Sequence, residues 1–124
     1  MNLNKPKRAV VLFAHGSRDP LWHKPMEAVA AHIASGEPDL SVRCAYLELS
    51  QPDLATACLE LVGAQISNIT VIPMFLGVGR HAREDLPLLV DQLRQTHPQV
   101  LFDLKPAVGE DPRLIELLAR IAAE

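Results

Sequence analysis

Apolar residues in this chain come in short runs, separated by polar, proline-containing or glycine-containing stretches. The first run is Arg8 to Ala14, continuous and rich in valine after two basic residues. Such a run suits a strand buried on both faces. His15-Gly16-Ser17-Arg18-Asp19-Pro20 breaks it. The pattern then becomes helical, with Met26, Val29, Ala30 and Ile33 on one stripe. Pro25 is tolerable only in a first turn, so this helix should start near Lys24 or be irregular from Pro20 on. Gly36 is a natural stop.

Leu40 to Leu49 predicts the second strand, with Val42, Cys44, Tyr46 and Leu47 as inward positions and Glu48 at its C-terminal end. Ser50-Gln51-Pro52-Asp53 opens the next helix, with Ser50 as the expected N-cap. Leu54, Cys58, Leu61 and Val62 line its apolar face, and Gly63 lies near its end. Ile69 to Phe75 predicts the third strand, although Pro73 within it removes an N–H from the ladder. The loop Leu76–His81 follows. A helix over Ala82–Thr96 turns Leu86, Leu89, Val90 and Leu93 inward, with Pro87 in or near its first turn. Val100–Leu104 is a short fourth strand, and Asp111-Pro112 starts a last helix carrying Leu114, Leu117, Leu118 and Ile121 on one face.

Strand and helix thus alternate four times. Parallel strands need crossover connections, so this alternation predicts an α/β fold: one three-layer domain over residues 1–124, a parallel sheet with helices on both faces. The strand order expected of such a small sheet is 2-1-3-4.

Composition narrows the function. At 48% hydrophobic and 4% aromatic, the core is aliphatic. No run approaches the roughly 18 apolar residues that span a bilayer, and Met1–Arg8 shows no signal-peptide pattern. A soluble cytoplasmic protein is expected, with no membrane partner. A net charge of −3 without a basic stripe argues against nucleic-acid binding. Cys44 and Cys58 are too far apart for a CxxC motif and read as small buried hydrophobes.

Two histidines stand out. In an open α/β sheet, ligands bind beyond the C-terminal strand ends, where the strand order reverses. With order 2-1-3-4 that point lies between strands 1 and 3. His15 ends strand 1 and His81 closes the loop after strand 3, so one crevice receives both, with Glu48 beside it. Two imidazoles and a carboxylate suit Co²⁺, Fe²⁺ or Zn²⁺, and imidazole accepts protons near neutral pH. Arg18, Arg80 and Arg83 set positive charge in the same loops, where helix N-termini also favour anions such as ligand carboxylates. His23, His32 and His97 read as structural or solvent-facing.

At this point the residues resemble a family. His-Gly-Ser-Arg-Asp-Pro at 15–20, Glu48 followed by Pro52, Pro73-Met74-Phe75-Leu76, and Gly79-Arg80-His81 with Asp85-Leu86-Pro87 are similar to short CbiX-type sirohydrochlorin chelatases of class II. Leu86 stands where isoleucine is often expected. The resemblance implies a chelatase-like half domain. It implies a lyase that inserts Co²⁺ or Fe²⁺ into sirohydrochlorin, in cobalamin or siroheme biosynthesis, without ATP. It further implies a homodimer, no tightly bound cofactor, and a divalent metal (Co²⁺, Fe²⁺ or Ni²⁺) as substrate beside the tetrapyrrole. The family's metal-binding, proton-accepting histidines match His15 and His81. Its substrate-contacting positions match Glu48 and the loop Leu76, Gly77, Val78, Gly79 and Arg80, with Ser17 and Arg18 nearby. Phe75, Leu76 and Val78 are placed to meet the macrocycle face, or, for Phe75 in particular, to pack in the core.

Two other readings compete. Gly77-Val78-Gly79-Arg80-His81-Ala82 fits GxGxxA, with Asp103 as a ribose-binding acid, which would suggest a dinucleotide-binding module. A carrier that binds metal or tetrapyrrole without turnover would use the same residues. A histidine phosphatase fails, since Ala14 stands where that chemistry wants arginine.

Overall fold

The computed structural model describes residues 6–124; the expectation for the extreme N-terminus falls partly on residues 1–5, outside the described residues. The alternation holds: β1 (Arg8–Ala14), α1 (Lys24–Gly36), β2 (Leu40–Tyr46), α2 (Leu54–Gly63), β3 (Asn68–Pro73), α3 (Arg80–Thr96), β4 (Leu101–Leu104) and α4 (Pro112–Ala123). Short 3-10 turns occupy Pro20–His23 and Val108–Glu110. The strands pair in parallel in the order β2-β1-β3-β4. β1 is central, with Leu12 facing Cys44 on one side and Ile72 on the other.

The two-residue period of β1 divides the core between two faces. Ala9, Val11 and Phe13 join Leu54, Ala57, Cys58 and Leu61 of α2 and Leu86, Val90 and Leu93 of α3. Leu12 and Ala14 point the other way, to Met26 of α1 and Tyr46. This second face is only partly covered. α1 packs on the β2 side, while Leu101 and Asp103 of β4, which face the same way, are exposed. α4 buries no residue at all, and Ile115, Leu117, Leu118 and Ile121 on it are exposed.

The first helix starts at Lys24 after an irregular stretch from Pro20, as expected: a 3-10 turn forms there because Asp19 accepts from the Leu21 N–H (2.9 Å) and Pro20 presets the backbone. Other local expectations are corrected. Val29 is exposed, since α1 touches the sheet through Met26, Ala30 and Ile33. β2 ends at Tyr46, three residues short of the expected Leu49, and Leu47 is exposed. The N-cap of α2 is Asp53, which accepts from the Thr56 N–H at 2.8 Å, and Ser50 has another role. α3 begins two residues early, at Arg80, so Pro87 falls inside the helix beyond its first turn. Pro73 costs β3 little: the register with β4 ends at Val71↔Leu104, below it.

Candidate active site

The C-terminal edge of β1 and β2 does not stop where the strands end. The Leu47 N–H donates to the Ala14 carbonyl (2.9 Å), and the Glu48 N–H donates to the His15 carbonyl (3.0 Å). Two further rungs therefore hold His15 and Glu48 side by side. Gly16 makes this approach possible. Its φ of 101° lies in the left-handed region, and a Cβ would overlap the Glu48 carbonyl oxygen, so only glycine fits. The side chains of both His15 and Glu48 are exposed.

The His15 ring lies against Phe75, with centroids 4.4 Å apart and planes 34° from parallel. Phe75 is buried and meets Phe13 edge-on at 6.2 Å. It is thus a core residue whose ring supports the imidazole. Of the apolar residues expected to face a flat ligand, Leu76 is exposed and Val78 is half-buried against the core.

His81 is the second residue of α3, not the end of a loop. The change follows from Gly79, whose extended backbone (φ −63°, ψ 157°) makes it the N-cap. Its lack of a side chain leaves the first N–H groups of α3 without a side-chain acceptor. Arg80 is paired with Glu84 at 3.2 Å across one helical turn, with both side chains well exposed. Such a pair is worth ~0.3–0.5 kcal/mol, and a stronger carboxylate ligand can displace it. Arg83 is also exposed.

The loop between Phe75 and α3 is braced from behind. The Gly109 N–H donates to the Phe75 carbonyl (2.9 Å), and a Cβ on Gly109 would overlap the Leu76 main chain. Gly77 and Gly79 face open space, with no atom where a Cβ would reach. Sequence reasoning missed Gly109. Its only signal was an isolated glycine before Asp111-Pro112.

Ser17 and Arg18 stand on the turn after His15, with Ser17 half-buried and Arg18 exposed. The Ser17 hydroxyl accepts from the Asp19 N–H at 3.0 Å. His23 is half-buried and hydrogen-bonded within the loops, His32 is exposed, and His97 is buried against Phe102. Both cysteines are free thiols. Burial pushes Cys58 up to about 11 and, together with the neighbouring Cys44, pushes Tyr46 up to about 12.

Among the described residues, no three of His, Cys, Asp and Glu are gathered as a metal-holding group. His15, Glu48 and His81 thus share the C-terminal edge without forming a closed ligand cage. Imidazole nitrogens are suitable donors for first-row divalent cations. Asp103 is the penultimate residue of β4, opposite Thr70, and its exposed side chain lies on the face of the sheet opposite Phe102.

A parallel sheet in this order, with His15 just past the end of β1 and His81 in the first turn of the helix that follows β3, defines a small doubly wound α/β protein. The CbiX family model matches residues 9–124, and the chain belongs to that family. It is 35% identical over 83 residues to a sirohydrochlorin cobaltochelatase of Methanothermobacter thermautotrophicus, covering 67% of this chain and 57% of that one. The matched stretch spans between 57% and 62% of the length of the first curated relatives. A CbiX protein from Marinobacter aquaeolei VT8 superposes with a TM-score of 0.81 at 31% identity, covering 94% of both chains. The sirohydrochlorin chelatase SirB from Bacillus subtilis subspecies spizizenii, in complex with cobalt, has the same fold (TM-score 0.79, 20% identity), and this chain covers 94% of itself but 50% of that one. No helix among the described residues is long and apolar enough to cross a membrane.

Proposed function

We propose that this protein inserts a divalent metal, Co²⁺ or Fe²⁺, into sirohydrochlorin without ATP. The observation that carries this reading is His15, held on Phe75 at the end of β1 with Glu48 beside it, on the same edge of the sheet where α3 begins with His81 in its first turn. The metal is a substrate here, and no tightly bound cofactor is required.

Insertion demands that the cation lose water and that two pyrrole N–H groups lose protons. In this reading His15 and His81 hold the cation weakly through their ring nitrogens and take up the protons. Glu48 faces the substrate beside His15. The loop Leu76-Gly77-Val78-Gly79 forms the seat for the flat ring, since its glycines leave room for close approach. Arg80, and Ser17 and Arg18 on the opposite turn, bind the ring's carboxylates, helped by the uncapped N–H groups of α3.

The working form in this reading is a homodimer. Its support is the exposed apolar face of α4 together with the uncovered β4 side of the sheet, two surfaces that one copy leaves bare. A relative of the same fold is twice as long, which fits a site completed by a second unit.

The test mixes the metal-free protein with sirohydrochlorin and Co²⁺ or Fe²⁺ and follows the absorption spectrum. Acceleration over the spontaneous rate is expected for the wild type. His15→Ala and His81→Ala should each lose most of it while the circular dichroism spectrum stays native. No acceleration by the wild-type protein overturns the reading.

A further inference from the structure

The turn that carries His15 is fastened by a side chain 33 residues away. The Ser50 hydroxyl accepts from the Ser17 N–H at 3.0 Å and donates to the Ser17 carbonyl at 2.8 Å. One hydroxyl thus satisfies both main-chain groups of a single residue. The His23 Nε2 stands 3.2 Å from the same Ser17 carbonyl and 3.2 Å from the Ser50 oxygen. A carbonyl only accepts, so Nε2 carries the proton and donates into both. The His23 ring is in turn held edge-on against Tyr46 at 4.9 Å and Trp22 at 5.5 Å.

Ser50 reaches this position at a conformational cost. Leu49 before it has φ 64°, a left-handed backbone that a branched side chain rarely adopts. Such strain persists only where the surroundings impose it, and it concentrates near functional sites. The capping role expected of Ser50 is taken by Asp53, so the hydroxyl is not needed to start α2.

We infer that Ser50, backed by His23, is a positioning residue that clasps Ser17 and so fixes the His15 turn against the Glu48 loop. The two rungs Leu47–Ala14 and Glu48–His15 join the loops at the strand end. The Ser50 clasp closes them at the far end, beyond Gly16. Without it, the His15 turn is pinned on one side only, and the imidazole loses its fixed distance to Glu48 and to the ring seat. The kinetic consequence rests on the chelatase reading; the clasp itself does not.

The experiment compares wild type, Ser50→Ala and Ser50→Thr. Ser50→Ala should lower kcat for metal insertion by roughly 10–100-fold, the usual cost of losing a group that orients a working side chain. The melting temperature should change little, KM for the tetrapyrrole should rise by less than kcat falls, and Ser50→Thr, which keeps the hydroxyl, should recover much of kcat. Hydrogen exchange of the Ser17 amide, read by NMR, should be slow in the wild type and fast in Ser50→Ala. If Ser50→Ala does not fold, His23→Phe, which keeps the ring packing and removes the N–H, should show the same kcat loss. Unchanged kcat, or a loss of kcat only in step with thermal stability, overturns the assignment. An unprotected Ser17 amide in the wild type overturns the clasp. A protected amide in a protein that does not accelerate insertion overturns the chelatase reading instead.

Discussion

The imidazole of His15 rests on the buried ring of Phe75, with centroids 4.4 Å apart, so the orientation of an exposed side chain is set by the core. Stability and activity are therefore linked at Phe75. Phe75→Ala should cost about 3–5 kcal/mol, as a large aromatic deletion in a core does. Phe75→Leu fills much of that space and should leave a folded protein whose metal-insertion rate is lowered, because the flat support is gone. Urea unfolding and the insertion assay together check this, and a Leu variant with wild-type rate would count against the support role.

Arg80 offers the opposite separation. It is exposed and, among the described residues, paired only with Glu84. Arg80→Ala should change stability by less than ~0.5 kcal/mol, while KM for the tetrapyrrole rises with kcat nearly constant, as loss of uniform binding predicts. Steady-state kinetics at fixed metal concentration give the split.

Alkaline pH should destabilise the fold. Cys58 is raised from 9.0 to about 11 by burial, and Tyr46 from 10.0 to about 12 by burial and by Cys44. Between those values the unfolded chain releases protons that the folded chain keeps. Stability is thus complete below about pH 9 and falls as pH rises toward 12. Denaturant midpoints measured across this window should decline. Cys58→Ala should flatten the decline between pH 9 and 11, and Tyr46→Phe the part above pH 10.

The apolar face of α4 provides a test of assembly. Leu118 is exposed in the single chain, so Leu118→Glu should leave a folded monomer. If α4 meets a second copy, the charge should shift sedimentation from dimer to monomer at micromolar concentration. A variant that still sediments as a dimer would place the interface elsewhere.

Much of this architecture was legible from the pattern of apolar residues. The parallel sheet followed from the alternation and its order matches the one expected of a small sheet, whereas His81, expected at the end of the loop after β3, lies in the first turn of α3. The losses lie where a single tertiary contact outweighs local preference. Ser50 looks like a helix cap by residue type, yet Asp53 takes that role and Ser50 turns to Ser17. Leu47 continues an apolar strand pattern, yet β2 has ended and the side chain is exposed. Gly109 gave no pattern to read, since its purpose depends on Leu76, 33 positions earlier in the chain but adjacent in space.

Gly109 also separates two demands that a binding loop usually combines. In the proposed function the residues from Leu76 to Arg80 suit the ring above them, while the height of that loop over the sheet is set by a turn on a different connection. Adding a methyl group at Gly109 would lift the floor of the seat without altering any group that faces the ring. Under that proposal, fit to macrocycles of different thickness or pucker would be retuned from underneath, by a residue that meets neither substrate.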